Sequence, residues 1–135
     1  MKTTYLLDTN VFLRLILKDN LEQYKQIIGL LEQSEFSKIN LVCPLISLFE
    51  ITFVLSGKTY QRPKNEIATI LKTLLKLRII KFESEEIFAL ALDIFLENSI
   101  SIVDSFLLSS SQIQKYEFYS FDQKALKISK TLKNQ

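Results

Sequence analysis

Short apolar runs alternate with longer segments of helical periodicity along the whole chain. The runs with the length and composition of buried strands are TYLL (residues 4–7), INLVCP (39–44), RIIKF (78–82) and EFYS (117–120). Between them, apolar residues recur every three or four positions, which predicts one or two helices in each interval. Strands that are separated by helices can pair in parallel, because each connection crosses back over the sheet. The order therefore predicts an α/β fold with a mainly parallel central sheet flanked by helices.

Seven helical segments fill those intervals, at residues 10–20, 21–38, 45–57, 62–77, 84–99, 101–115 and 122–132. We expect Gly57 to end the third segment, and Pro63 and Ser84 to begin the next two, because these residue types favour those helix positions. No repeat, linker or low-complexity tract divides the chain. Its 135 residues suffice for one domain with a core but not for two ordinary ones. We therefore expect a single domain over residues 1–135.

Three carboxylates stand alone in apolar stretches, where burying a charge is costly. Asp8 comes at the end of the first apolar run. Glu50 is the only charged residue in positions 39–57, and Asp104 is the only one in positions 98–114. This isolation is what singles the three acids out as candidate site residues.

Asp122 is a fourth acid of interest, because it follows the predicted strand 117–120 after a single residue. Asp8 and Asp122 would both lie at the carboxyl ends of parallel strands, where ligands gather in open α/β sheets. Any one of these acids is more often a helix cap, a turn residue or half of an ion pair. If the acids converge, their mutual repulsion would be relieved by a divalent cation. The spacing alone leaves the structural and the metal-binding interpretations both open.

The residue types present limit the chemistry. The chain has no histidine and one cysteine, Cys43, which excludes Ser–His–Asp and Cys–His catalysis, His-ligated zinc and an intrachain disulfide. Oxygen donors alone favour Mg²⁺ or Mn²⁺ over zinc. No run reaches the roughly 18 apolar residues of a membrane helix, and the first residues do not form a signal-peptide pattern. We therefore expect a cytoplasmic protein that does not enter the membrane.

The ordered set of motifs resembles the PIN-domain nucleases, and in particular the VapC-type toxins of prokaryotic toxin–antitoxin pairs. The family's DTN motif after a strand is matched by residues 8–10, and its glutamate in the helix after the second strand by Glu50. The family also has an aspartate near the start of a helix in the last part of the chain, which is matched by Asp104. Its strand that ends in Thr or Ser, followed by one residue and an aspartate, is matched by residues 120–122. The resemblance extends over about residues 4–130.

This resemblance implies an endoribonuclease that depends on Mg²⁺ or Mn²⁺ and acts on RNA. The carboxylates that it makes catalytic and metal-binding are those of Asp8, Glu50, Asp104 and Asp122. By the same resemblance, Asn10 and Ser120 would support the metal ligands or orient the substrate. Arg14 is a further candidate for contact with RNA, because it is close in sequence to the DTN motif.

The resemblance also implies a fold and partners. The fold is a PIN-like three-layer sandwich whose sheet has four or five strands; no apolar strand is visible after residue 132, so the fifth stays open. Family members commonly form homodimers and bind an antitoxin in a groove between helices such as 21–36 and 63–77. Sequence does not separate a leucine or isoleucine that faces such a groove from one in the core, and the core is the commoner place for these residues.

Two other functions remain open. One is a catalytically silent PIN-like module that binds RNA or protein. The other is a haloacid-dehalogenase-like phosphatase, whose sequence also places an aspartate after the first strand. That chemistry needs a second aspartate two residues later as the general acid, and position 10 is asparagine. The phosphatase is therefore the less favoured of the two.

Overall fold

The computed structural model describes residues 2–36 and 38–135, which form two compact units that divide between Glu83 and Ser84. The elements of the first unit are β1 (Thr3–Leu6), α1 (Thr9–Leu17), α2 (Leu21–Glu35), β2 (Ile39–Cys43), α3 (Leu45–Ser56), α4 (Lys64–Leu75) and β3 (Ile80–Phe82). Those of the second unit are α5 (Glu85–Glu97), α6 (Ile102–Gln114) and α7 (Gln123–Lys133). Across these described ranges, no helix is both long enough and apolar enough to span a membrane.

The three strands form a parallel sheet in the order β1-β2-β3. Thr3 lies opposite Ile39 in the first pair, and Leu41 lies opposite Ile80 in the second. The α/β fold class and the positions of the first three predicted strands are thus confirmed. The expected burial of the first strand is wrong, because all four residues of β1 are exposed. Because the pairing is parallel, all three strands end at one edge of the sheet, and Asp8 follows β1 at that edge.

The predicted fourth strand at residues 117–120 is wrong, since these residues are in neither helix nor strand. The described part of the chain has a three-stranded sheet instead of four or five strands. The segment is held to its own unit: the Ser111 hydroxyl donates to the Tyr116 carbonyl at 2.7 Å, and Glu117 pairs with Lys133. Aromatic residues favour an extended backbone, but a strand also needs a partner strand, and the local sequence does not supply one.

The core of the first unit forms where α1 and α3 meet the sheet. Phe12 of α1 is fully buried, and its ring centroid lies 6.3 Å from that of Phe82 in β3. Leu48 and Ile51 of α3 are fully buried as well. α3 in turn contacts α1 and α4. This packing fixes the beginning of α1, which directly follows Asp8.

The second unit is a set of three helices in which α6 contacts both α5 and α7. The ring centroids of Phe88 and Phe106 are 6.4 Å apart between α5 and α6. The buried Ser109 hydroxyl donates to the Ile87 carbonyl at 2.6 Å, which satisfies a polar group that would otherwise be costly to bury. These contacts fix α6, the helix that carries Asp104.

The three residues predicted to end or begin helices occupy cap positions, but one of them does not cap through its side chain. Gly57 is the C-cap of α3, and Pro63 directly precedes α4. Ser84 occupies the N-cap position of α5, but its side chain makes no capping hydrogen bond. Its φ of 57° is left-handed, whereas a serine that caps through its hydroxyl has an extended backbone.

Candidate functional site

Asp8 is the N-cap of α1 and stands between the sheet and that helix. Its backbone is extended, and its Oδ1 accepts a hydrogen bond from the Val11 N–H at 3.3 Å. The preceding Leu7 is buried, and its N–H donates to the Val42 carbonyl at 2.8 Å. The Asp8 side chain itself is exposed, so a carboxylate at the end of an apolar run avoids the cost of burial. The helix N-terminus also favours its negative charge.

Asp8, Asn10 and Arg14 line one shallow pocket of about 210 Å³, which we call the amide pocket. Three of the seven residues predicted from sequence therefore lie together. The helix α2 contributes Gln23 and Gln26 to the same pocket. The sequence alone did not indicate these two glutamines, because their place in the pocket depends on how α2 packs against α1. The one signal available was their i, i+3 spacing, which places both on one face of a helix.

Arg14 is tied by an ion pair to Asp19. Its Nη1 lies 2.9 Å from the Asp19 Oδ2, and the Arg14 side chain is 26% exposed. The pairing holds the guanidinium near the pocket and offsets part of its charge. Because both side chains are partly solvated, the pair adds less than about 1 kcal/mol to stability.

Glu50 lies in the middle of α3, on the face opposite its fully buried neighbours Leu48 and Ile51. Its side chain is exposed. Phe53 lies almost one turn further along this face and is 50% exposed. Glu50 is therefore a charged group on an unusually apolar helix surface.

The two acids of the second unit lie at helix N-termini. Asp104 is in the first turn of α6, half-buried, and its N–H donates to the Ser101 Oγ at 3.0 Å. Asp122 is the N-cap of α7, and its Oδ1 accepts from the N–H groups of Lys124 and Ala125 at 3.0 and 3.2 Å. The Asp122 N–H donates to the Ser120 Oγ at 3.0 Å, so the hydroxyl predicted to support the site fixes the backbone at Asp122.

Asp8 and Asp122 thus have the capping role that an isolated aspartate commonly has. A carboxylate that caps a helix can still bind a metal ion, because an ionised carboxylate has about four lone-pair positions on two oxygens. Within either unit, the described residues contain no group of three or more Asp, Glu or Cys side chains that could hold a metal ion. The donors fit Mg²⁺ or Mn²⁺ in kind, since both prefer carboxylate oxygens. The four-carboxylate metal site stays a prediction.

Cys43 is the other residue whose chemistry must be considered. It is fully buried at the end of β2. Burial, together with the negative charge of Glu83, raises the pKa of its thiol to about 12. The thiol is therefore protonated at neutral pH and is not a nucleophile. Carboxylates, amides, hydroxyls and the Arg14 guanidinium remain as the chemical groups of the site.

The family model of the PIN domain matches residues 5–130 of the chain. The match includes all seven residues singled out from sequence: Asp8, Asn10, Arg14, Glu50, Asp104, Ser120 and Asp122. No curated protein and no solved structure shows a significant match to the chain.

Proposed function

The chain belongs to the PIN-domain family, and from this membership we propose that it is a metal-dependent endoribonuclease of the VapC toxin type. PIN domains are typically metal-dependent nucleases, so nucleic acid is the expected substrate class, and we propose RNA. The observation that supports this most directly is the position of Asp8. It is an exposed carboxylate at the carboxyl end of a parallel strand, beside a polar pocket.

We propose that four carboxylates hold Mg²⁺ or Mn²⁺, namely those of Asp8, Glu50, Asp104 and Asp122. When bound, such a cation lowers the pKa of water and offsets negative charge on the phosphate under attack. The Val11 N–H holds one Asp8 oxygen through the capping bond and leaves the second free to act as a ligand.

The polar neighbours have positioning roles in this proposal. Ser120 fixes the backbone that carries Asp122, through the bond from the Asp122 N–H to its hydroxyl. Asn10 presents an amide next to Asp8, and Arg14 presents a guanidinium that Asp19 holds in place. A preorganised arrangement of this kind reduces the cost of orienting RNA.

Glu50→Gln tests the proposal. We expect the single-turnover rate of RNA cleavage with Mg²⁺ to fall by more than about 100-fold, since changing groups that only support metal ligands already costs 10- to 100-fold. The free energy of unfolding should change by less than about 0.5 kcal/mol, because Glu50 is exposed.

Glu32→Gln is the matched control, because Glu32 is an exposed helical glutamate outside the proposed site. It should cleave at the wild-type rate. An unchanged rate in Glu50→Gln would remove Glu50 from the site. A wild-type protein that binds RNA but does not cut it would instead indicate the catalytically silent module.

We further propose an antitoxin partner that binds an apolar groove of about 390 Å³ between α1, α2 and α4, which we call the helix groove. The residues that line it are Leu15, Ile16, Lys18, Tyr24, Ile28, Leu31, Ile70, Thr73, Leu74 and Leu77. A groove of this composition suits the apolar face of an amphipathic helix. The Lys18 ammonium lies over the Tyr24 ring, 5.4 Å from its centroid, and offers a cation to an acidic partner residue.

Ile28→Asp should abolish neutralisation by the cognate antitoxin while leaving RNA cleavage intact, because it puts a charge into the helix groove. Co-expression growth assays and co-elution of the two purified proteins measure this. Leu21→Asp is the control, since Leu21 is on the same helix, 66% exposed and outside the groove. If antitoxin still neutralises and co-elutes with Ile28→Asp, and melting confirms that the variant is folded, the groove is not the binding site.

Two further parts of the proposal rest on the resemblance. We propose a homodimer, because family members commonly form one. We propose the cytoplasm as the location, where RNA substrates are present. The free Cys43 thiol is compatible with that reducing compartment.

A further inference from the structure

We propose that the amide pocket binds one unpaired adenine base of the RNA substrate, read by the side chains of Gln23 and Gln26. This inference rests on the proposed function, because it assigns a sequence preference to the same site. It adds two residues that lie outside the motifs of the family resemblance. It also makes the pocket, and not the carboxylates, the source of base selectivity.

The size of the pocket suits a single ring system. Its volume of about 210 Å³ is below the ~300–1,000 Å³ of typical pockets for drug-sized ligands. It is too small for a longer piece of nucleic acid and large enough for one planar group. Asp8 lies in its lining, so a base bound there would be adjacent to the proposed scissile phosphate.

The charges around the pocket favour a base over a phosphate. Its ionisable lining residues are Asp8, which is negative, and Arg14, whose guanidinium is paired with Asp19 at 2.9 Å. A phosphate would meet one carboxylate directly and a cation that is already partly neutralised. A nucleobase carries no net charge and avoids this repulsion.

The uncharged polar lining consists of amides, which both donate and accept hydrogen bonds. Gln23 and Gln26 are three residues apart on α2, so they present two amides on one face. Ile27, which directly follows Gln26, is buried, and Asn20 caps the helix by accepting the Gln23 N–H at 3.0 Å. The backbone beneath both glutamines is therefore fixed, and only their exposed side chains adjust to a ligand.

An amide pair of this kind discriminates between bases. A glutamine can donate to N7 of adenine and accept from its N6 amino group in one bidentate contact. Proteins read unpaired RNA bases through such edges, which are accessible when the base is not stacked in a duplex. One good bidentate pair discriminates by roughly 5- to 150-fold against the wrong base.

The experiment measures binding of short single-stranded oligonucleotides that differ at one position, by fluorescence anisotropy with Ca²⁺ in place of Mg²⁺. Ca²⁺ keeps the carboxylates neutralised and supports cleavage poorly, because its coordination is larger and less rigid. Wild-type protein should prefer an adenine-containing oligonucleotide over its guanine, cytosine and uracil counterparts by about 5- to 150-fold. Gln23→Met and Gln26→Met keep the side-chain size but lose the amide, and should each reduce that preference at least fivefold.

Gln33→Met is the matched control on the same helix and should keep the wild-type preference, because Gln33 is outside the pocket. Equal binding of all four oligonucleotides by the wild type, or no binding of any, would overturn the inference. Uniform weakening across the four bases in the Met variants would do the same, since it indicates a backbone contact. A Gln-dependent adenine preference in a protein that never cuts RNA would reject the nuclease and retain the pocket. Cleavage with no base preference would reject the pocket alone.

Discussion

Asp8→Asn is expected to abolish RNA cleavage and to leave the protein folded. The substitution removes the charge needed to hold a divalent cation, so the single-turnover rate should fall by more than about 100-fold. Asparagine caps helices about as well as aspartate, so the hydrogen bond to the Val11 N–H can persist. The free energy of unfolding should change by less than about 1 kcal/mol, mainly through the lost charge at the helix N-terminus.

Asp8→Ala separates the capping role of Asp8 from its proposed catalytic role. Alanine removes the cap as well as the charge, so it should cost about 0.5–2 kcal/mol of stability in addition to activity. Thermal melts compare the two variants, and Glu35→Gln serves as an exposed acid of α2 away from the site. Cleavage by Asp8→Asn at the wild-type rate would leave Asp8 with a structural role only.

The elements of this fold were predictable where the signal is local. Apolar runs and helical periodicity gave β1 to β3 and all seven helices, because an amphipathic pattern over one element largely decides its type. Residues 117–120 form a similar short run around two aromatic residues and are not a strand. Strand formation depends on a partner strand elsewhere in the chain, and the sequence EFYS does not indicate whether that partner strand is present.

In the candidate site too, sequence indicated the residues that are close together in the chain but not those brought together by helix packing. Asp8, Asn10 and Arg14 lie together, because they are within two turns of one another at the start of α1. Gln23 and Gln26 were missed, since their place in the amide pocket is produced by the packing of α2 on α1. Whether the four carboxylates converge also depends on tertiary packing, and their spacing along the chain does not decide it.

RNA cleavage is also expected to depend completely on a divalent cation. The chain contains no histidine, and the Cys43 thiol is buried with a raised pKa, so neither imidazole nor thiolate can supply the base or nucleophile. Carboxylates remain, and their charges favour Mg²⁺ or Mn²⁺. Excess chelator should stop cleavage, Mg²⁺ or Mn²⁺ should restore it fully, and Ca²⁺ should restore it poorly.

The most direct test of the metal-dependent nuclease is single-turnover cleavage of an end-labelled RNA by wild type and Asp8→Asn, purified side by side. Each protein is assayed in excess chelator and again after Mg²⁺ is added beyond the chelator. Cleavage is expected in only one of the four reactions, wild type with Mg²⁺. A contaminating nuclease would instead act equally in both preparations. Full-rate cleavage by the wild type in excess chelator would contradict the metal-dependent mechanism, and the carboxylates would then not act as metal ligands.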